Sequence, residues 1–466
     1  LNLRQVDGKL QSWLDEERLS EALAAITRIP TTKLMEANQA ATQLLLLGLT
    51  VEGVAGWDGG RGQTIRYIDW QNPQNNDFTV ISQYRVDCLA GYNSGKAFII
   101  PDLVLLVNGI PLVVVECKSP SLQEPLAEAI DQLRRYSNQR HANHEVEDNE
   151  GHEPLFFTNQ LLIATSFDEA RVGAIGGLFE HFASWKTVTP AKEEDFAAQL
   201  GVTALSEQQR LIAGMLSKTN LLDIIQHFTL FMQVGGQNIK TVCRYQQFRA
   251  VNKAIERLQT GKTRQQDGEH DRRGGVIWHT QGSGKSLTMV FLVRKLRTNS
   301  QLRRFKVIVI TDRKDLQKQL SDTAALTGEV VQVASSIDSV KRLVGNKGPA
   351  LLFATIQKYR DPDTTNEAEN DDELDAAIKL ATSPVNPQKY EVINDDDSIL
   401  VLIDEAHRSH TKDSHAYLMG GIPNAAKIGF TGTPIIMGDK RRTHEIFGEF
   451  IDRYTIKESE LDGATV

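Results

Sequence analysis

The chain has 466 residues, 40% of them apolar and 24% charged, with a net charge of −8. That length exceeds what one hydrophobic core organises and implies two or three domains of about 150 to 200 residues each, and the composition excludes a fibrous or disordered chain. Three distant cysteines, Cys88, Cys117 and Cys243, show no C-x-x-C spacing, which excludes a disulfide framework or zinc site and fits a reducing, cytoplasmic compartment.

Residues 19–29 and 33–47 carry apolar positions at helical spacing until Gly59-Gly60-Arg61-Gly62 breaks the pattern. Residues 78–89, 97–107 and 112–118 read as strands, 125–138 as a helix and 161–165 as a buried strand, which together make a small α/β unit. Helical spacing returns over 204–216 and 221–231 and stops at the polar Gly235-Gly236-Gln237-Asn238. Residues 191–240 are therefore expected to form a helical connector packed against the domain after it. From 245 onward, short apolar runs at 276–279, 306–311, 330–333, 350–354, 400–404 and 427–430 alternate with helices, the pattern of a parallel sheet with helices on both faces. No apolar run approaches the ~20 residues of a membrane span, so no membrane partner is expected. The net acidity excludes an overall basic coat, but nucleic-acid contact needs only local Lys/Arg stripes.

Two constellations carry chemistry. The first is Pro101-Asp102 followed by Glu116-Cys117-Lys118. The runs 103–107 and 112–115 are joined through Asn108-Gly109, a dipeptide suited to a tight turn, and should form a hairpin. Asp102 then begins one strand and Glu116 ends the other. Side chains alternate along a strand, so Glu116 and Lys118 share a face at the hairpin's open end. Two adjacent carboxylates call for a cation, and oxygen ligands suit Mg²⁺, which can activate water and stabilise a reacting phosphate. The arrangement resembles the PD-(D/E)xK nuclease superfamily. Gln132 and Tyr136, four residues apart on one helix face, resemble the QxxxY element of RecB-like and type I restriction nucleases. Glu36 matches an upstream metal-site carboxylate only loosely.

The second constellation is His279-Thr-Gln-Gly-Ser-Gly-Lys-Ser286 with Asp404-Glu-Ala-His407. A strand, a flexible turn at Gly282-Ser283-Gly284 and a helix opening at Ser286 form a phosphate cradle. Thr280 and the turn amides would line it, Lys285 would reach the β and γ phosphates of ATP, and Ser286 would ligate Mg²⁺. Asp404 would hold the same Mg²⁺ and Glu405 would polarise the attacking water. The set resembles the motifs of superfamily 2 helicases. Gln247 is the better match to the adenine-reading Q motif. Thr311-Asp312-Arg313 and Thr355-Ile356-Gln357 resemble motifs that touch DNA backbone, and Thr431-Gly432-Thr433-Pro434 resembles motif III. His407 would bridge to Thr431 or Thr433.

The order nuclease then motor, the HTQGSGKS form with His279 in place of the usual first glycine, Gln132 with Tyr136, and the Asn72-Pro73, Asn76-Asp77-Phe78 and Asn159-Gln160-Leu161 stretches resemble the restriction (motor) subunit of type I restriction-modification enzymes, from about residue 65 onward. The resemblance implies an α/β chain with three parts. A PD-(D/E)xK endonuclease domain with N-terminal helices would occupy 1–190 and a connector 191–240. The first RecA-like parallel-sheet domain would occupy 241–466, with the second lobe absent. It further implies ATP-driven translocation of double-stranded DNA, Mg²⁺-dependent cleavage, and assembly with methyltransferase and specificity subunits. An amino-terminal fragment of this kind is expected to bind ATP and to hydrolyse it poorly. The alternatives are a repair helicase-nuclease and a non-catalytic, nucleotide-switched scaffold.

Overall fold

The structure is a computed structural model. It describes all residues except 1–2, 7–8, 32, 89–96, 140–150, 235, 312–313, 326–328, 335–336, 356–391, 405–419, 433–447 and 465–466. The chain divides into two compact units, Leu1–Tyr245 and Gln246–Val466.

In the first unit, helices α1 (Glu16–Thr27) and α2 (Leu34–Leu47) precede the sheet. Asp15 caps α1 by accepting the Arg18 backbone N–H, which satisfies one of the orphan donors of the first turn. Five strands follow: β1 (Phe78–Ser82), β2 (Leu103–Val107), β3 (Ile110–Cys117), then, after helix α3 (Pro125–Tyr136), β4 (Leu161–Ser166) and β5 (Glu169–Gly173). Their order in the sheet is β5-β4-β3-β2-β1, with β3 and β4 parallel and the other neighbours antiparallel. Asn108 (φ 51°) and Gly109 (φ 78°) make the β2–β3 turn. Both central residues thus sit at positive φ, as the right-handed twist of a two-residue hairpin requires. Helix α3 buries Leu126, Ala129, Ile130 and Leu133 in a core shared with Val104, Val114 and Leu162.

The expected strand over 78–89 stops at Ser82 because Gln83 adopts φ 51°. Its N–H and that of Tyr84 turn to the carbonyls of Asp102 and Pro101. The expected strand over 97–107 is likewise divided. Phe98–Ile99 pairs with Val86–Asp87, and only β2 joins the main sheet.

Residues 191–240 differ from the helical connector expected. Helices α4 (Glu193–Leu200), α5 (Glu207–Met215) and α6 (Lys218–His227) lead into a hairpin of β6 (Thr229–Val234) and β7 (Gln237–Val242), and all lie in the first unit. Gln208 of α5 donates to the Thr165 hydroxyl of β4 at 2.7 Å. Lys240 of β7 is buried and donates to Asn38 Oδ1, Asn159 O and Gln160 Oε1, each at 2.9 Å. Burial pushes this amine well below its ordinary range. Three acceptors for three N–H groups compensate the desolvated charge and tie the segment to α2 and to the start of β4, within the first unit.

In the second unit, helix α7 (Tyr245–Thr260) leads to β8 (Gly275–His279) and α8 (Lys285–Thr298). The chain continues through β9 (Lys306–Thr311), α9 (Lys314–Ala325), β10 (Val331–Ala334), α10 (Ile337–Gly345), β11 (Ala350–Thr355), β12 (Ile399–Ile403), β13 (Ala426–Thr431), β14 (Phe450–Tyr454) and α11 (Ile456–Leu461). The seven strands form one parallel sheet, ordered β10-β11-β9-β12-β13-β8-β14. Strand β14 is a member that the apolar pattern did not reveal.

Candidate active sites

At the open end of the β2–β3 hairpin, Asp102 is fixed from two sides. Its Oδ1 accepts the Gln83 side-chain N–H at 2.9 Å and its Oδ2 the backbone N–H of Cys117 at 2.8 Å. Glu116 ends the run Leu112–Val115, every residue of which is buried, and is itself 1% exposed. Lys118 Nζ donates to Glu116 Oε1 at 2.8 Å and to Gln132 Oε1 at 2.6 Å. Gln132 in turn donates to the Tyr136 hydroxyl at 2.5 Å, which donates to the carbonyl of Ile100 at 3.0 Å. Asp102, Glu116, Lys118, Gln132 and Tyr136 therefore meet, with helix α3 linked back to the strand entry beside Asp102. Gln83 belongs to the same cluster and carries no sequence signal, since a positive-φ kink at residue 83 brings it there.

The electrostatics of this cluster are dominated by the buried carboxylate of Glu116. Glu116 Oε2 is buried without a hydrogen-bond partner. Burial, followed by the negative charge of Asp102, pushes Glu116 up to about 7 against the opposing hydrogen bond from Lys118. Burial and the Glu116 charge push Tyr136 up to about 12, and burial with both carboxylates pushes Cys117 up to about 11. An orphaned oxygen and a second, oriented carboxylate fit a small dication. Among the described residues no three His, Cys, Asp or Glu side chains converge on one position. Asp102 and Glu116 are thus the carboxylates available, and the rest of a coordination shell would come from carbonyls or water. Glu36 is exposed and bonded to Lys33 and Thr31.

In the second unit the sheet is parallel, so the ends of β8, β13 and β12 lie at one edge, where ligands of such sheets bind. Gly282 (φ 82°) and Gly284 (φ 84°) shape the loop after β8. Lys285 is buried and its Nζ donates to the carbonyls of His279 and Thr280 at 3.2 and 3.3 Å. Ser283 is held to the Thr280 carbonyl at 2.6 Å, and Ser286 lies in the first turn of α8. Gln247 of α7 donates to the Gly284 carbonyl at 3.0 Å, while the neighbouring Gln246 is buried with neither amide atom bonded. Asp404 is buried at the end of β12 and accepts the Thr311 hydroxyl at 3.0 Å. Asp312 and Arg313, which follow Thr311 in its motif, lie outside the described residues. Thr431 ends β13, the strand between β12 and β8. A side chain at Gly432 would come within 2.8 Å of Lys285 Nζ. Lys285 and Gly432 are thus neighbours, and Asp404 and Thr431 lie at the ends of adjacent parallel strands, whereas Glu405, His407 and Thr433 lie outside the described residues.

Beneath the loop lies a pairing that the motifs did not indicate. His279 is wholly buried, its Nε2 3.0 Å from Asp452 Oδ2 on β14. Arg249 grips the same carboxylate at 2.8 and 3.0 Å, and Lys253 reaches it at 2.9 Å. Burial alone would raise Asp452, but the hydrogen bonds from His279 and Arg249 and the charge of Arg249 outweigh it and hold the carboxyl far below the usual range.

Both candidate sites fall within stretches that match known protein families. A family model described as the type I restriction enzyme R protein N terminus matches residues 2–177, and one described as SWI2/SNF2 ATPase matches residues 246–466. The type I restriction enzyme HindI endonuclease subunit of Haemophilus influenzae is 32% identical, over 100% of this chain and 41% of its own length. A putative type I restriction enzyme MjaIXP endonuclease subunit of Methanocaldococcus jannaschii is 26% identical, over 98% of this chain and 40% of its own. The chain spans about two fifths of the length of these curated relatives. Among solved structures, the UvsW helicase from bacteriophage T4 aligns over 55% of this chain and 75% of its own at 16% identity and a TM-score of 0.28. With the restriction-subunit amino-terminal match followed by the ATPase match along nearly its whole length, the chain belongs to the R (endonuclease) subunits of type I restriction enzymes.

Proposed function

We propose that this chain supplies the cutting site and the nucleotide-binding half of a motor to a type I restriction complex. In that complex it works with methyltransferase and specificity subunits, drives double-stranded DNA past the complex with ATP, and cleaves phosphodiester bonds with Mg²⁺. The observation that carries the reading is the buried carboxylate of Glu116, with one oxygen on Lys118, the other unbonded, and the oriented Asp102 beside it. Magnesium held by Asp102 and Glu116 would neutralise phosphate charge and acidify a water. Two of the three Lys118 N–H groups are taken by Glu116 and Gln132, and the third is left to meet a phosphate oxygen or the attacking water. Gln132 and Tyr136 hold Lys118 in place, and Gln83 and the Cys117 N–H hold Asp102.

For the motor, Lys285 exchanges the carbonyls of His279 and Thr280 for phosphate oxygens, and Asp404 and Ser286 hold the Mg²⁺ of ATP. Glu405 is assigned to the attacking water, with His407, Thr431 and Thr433 linking it to the neighbouring strand. Calorimetric titration of the chain with Mg²⁺ at pH 8 tests the cutting site. A binding event present in the unsubstituted chain and lost in Asp102→Ala supports the reading, and equal binding by both would refute it.

A further inference from the structure

The loop that would hold ATP opens on His279, and what fixes that residue is Asp452. Strand β14 lies beside β8 with a register shift between Val276 and Ile277, so that Ile277 pairs with Asp452 and His279 with Tyr454. Such an irregularity re-aims the side chains beyond it. The backbone N–H of Thr280 donates to the Tyr454 carbonyl at 3.0 Å, and the Tyr454 ring meets the His279 ring edge-on at 5.8 Å between centroids.

Because Asp452 is ionised, the His279 nitrogen facing it must be a donor. Burial, helped by the cations Arg249 and Lys285, outweighs the hydrogen bond and charge of Asp452 and lowers the affinity of the imidazole for a second proton. His279 is accordingly neutral, with its hydrogen on Nε2 and Nδ1 bare, and Nδ1 is buried without a hydrogen-bond partner. On the other side of the carboxylate, Arg249 and Lys253 belong to α7, the helix whose Gln247 touches Gly284. Arg249 also donates to the Arg453 carbonyl at 2.7 Å. One carboxylate thus contacts both the first residue of the phosphate loop and the helix that reaches the loop's last glycine.

We propose that Asp452 is a positioning residue of the nucleotide site, locking the phosphate loop to helix α7 through His279 on one side and Arg249 and Lys253 on the other. The proposal rests on reading the loop as an ATP site. Without the His279 contact, ATP would have to order the loop as it binds, so affinity falls while the fold persists.

The test is ATP·Mg²⁺ affinity of the full chain, with thermal melting as the check on folding. His279→Leu, which loses the donor, should weaken binding about tenfold, and His279→Gln, which keeps an N–H at that reach, less than about threefold. Asp452→Asn should weaken binding at least as much, and the double variant with His279→Leu should be no weaker than Asp452→Asn, since the two changes break one link. Folded His279→Leu that binds ATP like the parent, equal losses in the two His279 variants, or additive losses would each overturn the proposal. Failure of the unsubstituted chain to bind ATP would overturn the nucleotide reading, and this proposal with it. The ring ¹⁵N spectrum should show Nε2 protonated, and a proton on Nδ1 instead would overturn the His279–Asp452 contact independently of ATP.

Discussion

Glu116 and Asp452 are both buried carboxylates, and their surroundings drive them in opposite directions. Asp452 has a bidentate guanidinium, an ammonium and an imidazole N–H against it, so it stays ionised as a structural anchor. Glu116 has one ammonium, an unbonded oxygen and a second carboxylate nearby, so it retains its proton to about 7. In the unfolded chain a glutamate loses that proton near 4.5. Between those values the folded state holds a proton that the unfolded state has released, so stability falls as pH rises and the penalty is complete above 7. Glu116→Gln cannot ionise. Without divalent cations it should be more stable than the parent by roughly 2 to 3 kcal/mol at pH 8, and the gain should vanish at pH 4. Denaturant melts at the two pH values measure this, and a gain equal at both would contradict the assigned ionisation. At this scale the sequence was readable where spacing sets proximity: Asp102, Glu116 and Lys118 through the hairpin, Gln132 and Tyr136 through the helix repeat. Gln83 and Asp452 were not readable, because each reaches its partner through a chain path with no local periodicity.

Among the elements, the β2–β3 hairpin followed directly from Asn108-Gly109 between apolar runs, and the parallel strands of the second unit followed from their short buried runs. Strand β14 escaped for a physical reason. Its sequence, Phe450-Ile-Asp-Arg-Tyr454, places a buried aspartate in the middle of the strand, and the cations that make this tolerable come from helix α7 some 200 residues earlier. Residues 191–240 depart from a purely helical connector at their end. Residues 229–242 form a hairpin held by a buried lysine, and the consecutive apolar residues Leu230, Phe231 and Met232 extend the preceding helical run without a change of period. The loop between β8 and α8 tolerates little change. At Gly284, φ is 84° and an added Cβ would lie 2.4 Å from the Gln247 amide nitrogen. Gly284→Ala must carry left-handed backbone strain of about 1 to 2 kcal/mol and also displace Gln247 from the loop. ATP affinity should drop at least about tenfold with a melting temperature within a few degrees of the parent, read by nucleotide titration and calorimetry. Unchanged affinity would show that Gln247 and the loop are not coupled as the contact implies.

For the whole molecule, the two candidate sites fall in different units of one chain, and the family matches fall on those units in the same order, 2–177 and 246–466. Both candidate sites were legible in outline from sequence because the proposed phosphate chemistry calls for strict residue types: carboxylates with an amine for one, a glycine loop with lysine and a distant Asp-Glu for the other. Translocation should consume ATP without needing the nuclease carboxylates, while cleavage should need both sites. The most direct measurement is therefore made on the complete restriction subunit, assembled with its methyltransferase and specificity subunits, carrying Asp102→Ala or Lys285→Ala. Asp102→Ala should abolish cleavage of a circular DNA while ATP-driven translocation continues at close to the parental rate, and Lys285→Ala should abolish both. Cleavage that survives Asp102→Ala, or that proceeds in Lys285→Ala without ATP turnover, would contradict the assignment of the two sites.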